Sequence, residues 1–186
     1  MKNRTIEFLF DNSKNHPKSL TESILNVRNL SAGFCRSWST QRMQDAISTS
    51  EQAFAELDHL QNELLRHRDE RKSSPSWSFD LLNIALEVKI GELISPANQL
   101  DVDTFKALPI GQGNLPQSTN TKKLTLVAAL NKLKHRNPED INFSISDNGR
   151  HILYFFTKAG MNQPDTISCF DIDKLCDACS NAATKI

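Results

Sequence analysis

The densest run of chemistry-bearing side chains is Leu130-Asn131-Lys132-Leu133-Lys134-His135-Arg136-Asn137. On a helix, Asn131 and His135 stand at i and i+4 and share one flank. A histidine in that place suits general-base work, and an amide one turn away suits the orienting of a substrate phosphate. Lys122, Lys123, Lys132, Lys134 and Arg136 bring five basic side chains to the segment, and no acid occurs between Lys106 and Glu139. A local cationic edge of this kind fits a phosphate backbone, with Lys134 or Arg136 stabilising charge. The plainer account is that cations near a helix C-terminus complement its dipole and keep an outer face in water.

A second cluster is Cys169, Cys176 and Cys179, the last two spaced C-x-x-C. Zinc would need a fourth donor from elsewhere, such as His151, and a second C-x-x-C is absent. A thioredoxin-like dithiol places its first cysteine at a helix N-terminus, whereas Cys176 falls more than a turn inside. Ile172, Leu175, Cys176, Cys179, Ala183 and Ile186 form one apolar stripe, and free cysteine packs there as a small hydrophobe. Buried thiols are therefore expected, with no metal and no cofactor. Gly111-Gln112-Gly113 lacks both the lysine tail of a phosphate loop and the third glycine of a dinucleotide fingerprint, so it is expected to be a turn. Asp101 and Asp103 are expected to cap a helix.

These groups sit in a chain of 186 residues with 22 basic and 22 acidic side chains, hence no net charge and no global field for nucleic acid or membrane. The apolar share is 38% and the mean hydropathy -0.46. No unbroken apolar run is longer than the five residues of Ile152–Phe156, far too short to span a bilayer. Ile6–Phe10 is short and interrupted by a charge, unlike a signal peptide. Four cysteines in a chain of this size do not make a secreted disulfide framework. A cytoplasmic single domain with no membrane partner is expected.

The elements that must position these groups follow from periodicity. Leu20, Ile24, Val27, Ser31, Phe34 and Trp38 step as one helical stripe, broken at Ser37–Thr40. Met43, Ile47, Ser50, Phe54, Leu57, Leu60 and Leu64 form a second, within a helix over 41–72 that is about 48 Å long at ~1.5 Å per residue. The two suit a helical hairpin. Residues 79–94 are apolar in nearly every direction and predict a central helix closed by Pro96. A short helical turn is expected over 103–108, then a helix from a Thr121 N-cap to Arg136.

After Pro138 the period becomes two. Ile141, Phe143 and Ile145 alternate with polar residues, and Asn148-Gly149 signals a tight hairpin. A two-residue turn would pair Ile145 with Ile152, Phe143 with Tyr154 and Ile141 with Phe156. A third strand is expected over 166–170, and Asp171 as the cap of a last helix from Ile172 to about Thr184.

A bundle on a long helical hairpin, whose late helix ends in the run Asn131-x-x-Lys134-His135, resembles the HEPN superfamily (higher eukaryotes and prokaryotes nucleotide-binding domains) over residues 19–137. That resemblance implies a helical core, dimers, and RNA binding or cleavage in toxin, phage-defence or stress systems. Asn131 and His135 match the polar end of its motif. The catalytic arginine would fall at Ala128, Ala129 or Leu130, so the resemblance implies binding ahead of cleavage. The expected fold is mainly α (α+β): an N-terminal arm over 1–17, a helical bundle over 19–137, then an antiparallel hairpin or three-stranded ribbon and a final helix over 139–186. The expected function is a binding or regulatory module that contacts RNA through its basic helix edge and forms a homodimer through its long helices. Two alternatives are a metal-independent ribonuclease using His135, and a structural homo-oligomer with no chemistry.

Overall fold

Helical spacing of apolar side chains sets the first two elements of the computed structural model, which describes residues 19–158, 160 and 163–186. The arm expected over 1–17 lies outside the described residues. Helix α1 (Leu20–Ser39) opens on Ser19, whose hydroxyl accepts from the Glu22 amide, and buries Ile24, Val27 and Phe34. Its end falls where the serine-threonine run predicts. Thr40 Oγ1 donates to the Arg36 carbonyl at 2.8 Å, and Gln41 turns the chain at φ 58°. Helix α2 (Met43–Arg71) returns along it, burying Leu57, Leu60, Leu64 and Leu65. The α+β class and the long helical hairpin are those the periodicity predicts.

The apolar stretch over 79–94 is not one helix. Only Leu81–Leu86 is helical (α3), capped by the Asp80 carboxylate, and Lys89–Ile94 is strand β1. A run apolar in every direction satisfies a strand covered on both faces as well as a buried helix. Gly91 favours the strand, since a Cβ there would meet the Cys169 carbonyl oxygen at 2.0 Å. The pairing of β1 with its neighbour also slips between Lys89 and Gly91, as at a bulge.

Helix α4 (Gln99–Lys106) starts earlier than the turn expected from Asp103. Asn98 and Asp101 close it with a reciprocal capping box. The helix expected from Thr121 is likewise divided, into strand β2 (Thr121–Thr125) and helix α5 (Leu126–Lys134). Thr125, not Thr121, is the N-cap, because pairing with β1 takes up Thr121–Thr125. Helix α5 also stops before Arg136: His135 is its C-cap at φ -110° and ψ 18°.

Strands β3 (Ile141–Ile145), β4 (His151–Thr157) and β5 (Thr166–Asp171) follow, and helix α6 (Ile172–Ala183) starts at the expected Asp171 cap. With β1 and β2 they form one five-stranded antiparallel sheet in the order β2-β1-β5-β4-β3. Two strands therefore come from the part of the chain expected to be all helix.

The hairpin register differs by one residue from the expected one. Ile145 faces His151, Phe143 faces Leu153 and Ile141 faces Phe155. The loop holds three residues rather than two. Ser146 donates to the Arg150 carbonyl at 3.0 Å, and Gly149, with φ 78°, donates to the Ser146 carbonyl at 2.8 Å. Asn148 does not take the positive φ that a two-residue type I′ turn requires, so the left-handed step falls on glycine alone.

A one-residue shift exchanges the two faces of a strand. Phe143, Leu153, Phe155 and Phe170 consequently face the helices and join their core, while Ile94, Tyr154, Phe156 and Ile167 pack with Val102 and Phe105 of α4. The sheet is covered on both sides.

Candidate functional site

A cavity of about 590 Å³ opens between the helical hairpin and the β3–β4 hairpin. Its walls are mostly aliphatic and aromatic, including Val27, Phe34, Phe54, Leu57, Phe143, Leu153 and Ile172. Volume and lining both fall in the range of small-molecule sites. Periodicity explains the wall from α2: Glu51, Phe54 and Asp58 lie at i, i+3 and i+7, hence on one face.

His151 reaches this cavity because the observed register puts it in phase with Leu153 and Phe155. Its ring stacks on Phe34 with centroids 4.9 Å apart and planes at 13°, and meets Phe143 nearly edge-on at 5.9 Å. Ser31 of α1 and His151 Nδ1 are hydrogen-bonded at 2.9 Å. The other ring nitrogen, Nε2, is buried and has no hydrogen-bond partner among the described residues. Burial pushes the imidazole pKa from 6.5 down to about 4, against a smaller opposing pull from the Asp171 carboxylate. His151 is therefore neutral at pH 7.

Arg136 closes one side of the mouth. Its guanidinium donates twice to Asp58, at 2.5 and 2.8 Å, and lies over the Phe54 ring at 4.9 Å from the centroid. The loop from Pro109 to Gly113 supplies another side. Gly113 donates to the Phe143 carbonyl at 2.7 Å, Gly111 to Asn142 Oδ1 at 3.0 Å, and Ile110 lines the cavity. The Gly111-Gln112-Gly113 turn thus ties the loop to β3.

The residues expected to form one basic edge are separated. Lys122 and Lys123 lie on strand β2 rather than on the helix, and Lys123 Nζ donates to Glu92 at 3.0 Å. Lys132 is half-buried and donates to Thr166 Oγ1 at 2.7 Å, and burial lowers its pKa. Lys134 is exposed beside Asn62, Arg66 and Asp69 of α2. Asn131 is half-buried and His135 is exposed past the helix end. Of that run only Arg136 reaches the cavity.

A second concavity, of about 360 Å³, lies near β1 and the start of α6. Lys89, Lys123, Arg150 and Lys174 line it, with Glu92 and Asp171 as the acids. Glu92 pairs with Lys123, and Asp171 accepts from Arg150 Nε at 2.6 Å. Lys89 and Lys174 have no ion-pair partner among the described residues.

The sheet divides the three cysteines. Cys176 and Cys179 are buried in the helical core, while Cys169 packs on the α4 side. Burial pushes the Cys169 thiol up to about 11 and the Cys176 thiol up to about 12, and that of Cys179 up as well. Among the described residues, no three His, Cys, Asp or Glu side chains are grouped as metal ligands would be. Asp101 does serve as a cap, and also accepts from Ser118 at 3.2 Å.

Composition and local period do not signal the Ser31–His151 pair, since its members are far apart in the chain. The available signal is alternation: His151, Leu153 and Phe155 share one parity, and the latter two are the interior face of β4. Among the described residues no helix is long and apolar enough to cross a membrane. The chain matches no protein-family model, no curated protein and no solved structure.

Proposed function

We propose that this chain is a small-molecule-binding module whose site is the cavity between the helical hairpin and the β3–β4 hairpin. The observation that supports this most is the cavity itself: about 590 Å³, walled by Phe34, Phe54, Phe143 and aliphatic side chains, with a few polar groups fixed around it. Ser31 orients His151 and Asp58 orients Arg136, so those polar groups are held in place before a ligand arrives. A neutral apolar probe tests the reading. 4-Phenylbutan-1-ol, titrated by NMR, is expected to shift resonances of Phe34, Phe143 and His151 saturably. Ala53→Trp, which fills the space from α2, is expected to weaken that binding at least tenfold while the circular dichroism of the fold persists. Ser50→Trp is the second filler should the first destabilise the helix. Saturation elsewhere on the surface, or affinity unchanged in both folded variants, overturns the proposal.

A second reading is the RNA contact that the HEPN resemblance implies. One observation favours it: Lys123 shares a concavity with Lys89, Arg150 and Lys174, four cations against two acids. RNA held there would bind with a steep loss on raising salt, as phosphate contacts release counterions. Lys89→Glu with Lys174→Glu should then abolish retention of single-stranded RNA, and salt-insensitive retention sinks the idea. A mass measurement with and without RNA reads the homodimer that the same resemblance implies.

A further inference from the structure

The cavity's walls carry an uneven set of charges. Its ionisable lining consists of Glu51, Asp58, Arg136 and His151. Arg136 is committed to Asp58 by two hydrogen bonds, so those two charges cancel. His151 is uncharged at pH 7. Glu51 is left, exposed at the mouth, with no hydrogen bond or ion pair among the described residues. It stands one turn from Phe54 and two from Asp58 on the face that α2 presents to the cavity.

An acidic ligand would meet Glu51 as a like charge, and Arg136, already neutralised by Asp58, offers it no net positive charge in return. A basic one meets an unpaired carboxylate beside aromatic rings, and a desolvated ammonium is also attracted to ring faces. Resting on the cavity reading above, we infer that the ligand is an amphipathic amine: an apolar, aryl or branched body seated among Phe34, Phe143 and Leu153, with its ammonium group paired to Glu51.

Three molecules with one body and different heads separate this inference from the reading beneath it: 4-phenylbutylamine, 4-phenylbutan-1-ol and 4-phenylbutyrate. Isothermal titration at pH 7.5 and low ionic strength is expected to rank them amine, alcohol, carboxylate, with the amine about fivefold tighter than the alcohol, as befits a partly exposed ion pair. Added salt should shrink that ratio. Glu51→Gln should bring it to about one, and Glu51→Lys should make the carboxylate the preferred head. Because residue 51 is exposed, neither change disturbs the core, and matched melting curves check this. A carboxylate that binds as tightly as the amine, or a ratio that Glu51→Gln leaves in place, overturns the amine assignment while the cavity reading stands. If none of the three binds, both fall.

Discussion

His151 and His135 are sixteen positions apart and live in opposite environments. His135 belongs to the densest polar run of the sequence, and the fold leaves it exposed at a helix end with its basic neighbours separated onto a strand, a half-buried hydrogen bond and an ion pair. His151 has no comparable neighbours in sequence, and the fold gathers around it Ser31 and Phe34 from one helix and Phe143 from an adjoining strand. Closeness along the chain predicts a shared helix face only while the helix lasts. Convergence in space is made by the pairing of elements, and here it is made by the β-hairpin register.

The largest expected effect lies at the His151 end. Phe143 contacts Phe34, Trp38 and His151 through its ring, so Phe143→Ala should cost about 3–5 kcal/mol in chemical denaturation. A loss below about 1 kcal/mol would mean that this aromatic group does not hold the hairpin to α1.

The next effect is a pH dependence. The folded pKa of His151 is depressed to about 4 from 6.5, so below pH 6.5 the unfolded chain takes up a proton that the native one refuses. Stability should be full above pH 6.5 and decline as the pH falls toward 4, by on the order of 3 kcal/mol. Imidazole resonances followed by NMR check the premise directly, and a His151 that titrates near 6.5 removes it. His151→Gln should flatten that part of the stability profile.

The smallest effect sharpens the contrast from the other side. His135→Ala should leave stability within about 0.5 kcal/mol, since an exposed cap residue with no side-chain partner among the described residues has little to lose. A larger loss would show that the rim is structurally engaged after all.

Much of the architecture was legible in the residues. The stripes from Leu20 to Trp38 and from Met43 to Leu64 mark α1 and α2, the serine-threonine run marks their break, and Asp171 marks the start of α6. What escaped has one physical origin, the ambiguity of short apolar runs. Residues 88–94 satisfy a strand buried on both faces as readily as a helix, and only the close approach of Gly91 to Cys169 decides. Thr121 and Thr125 are both acceptable caps, and the choice is made by strand pairing with β1, a contact no local pattern contains. The hairpin was legible but its register was not. Asn148-Gly149 fits a two-residue turn and also a three-residue loop ending on a left-handed glycine. That single ambiguity concealed the cavity, because one residue of slip turns His151 from one face of the sheet to the other.

The small bridge between Gln112 and Ser144 bears on self-association. An outermost strand offers unsatisfied amides and carbonyls to any passing extended chain, and proteins blunt such margins with covering loops or with lysines. Here the loop before β2 lies along β3, and the opposite margin, β2, carries Lys122 and Lys123. The two lysines that look in sequence like an RNA handle thus stand on an outer strand, where charge alone disfavours strand-by-strand polymerisation.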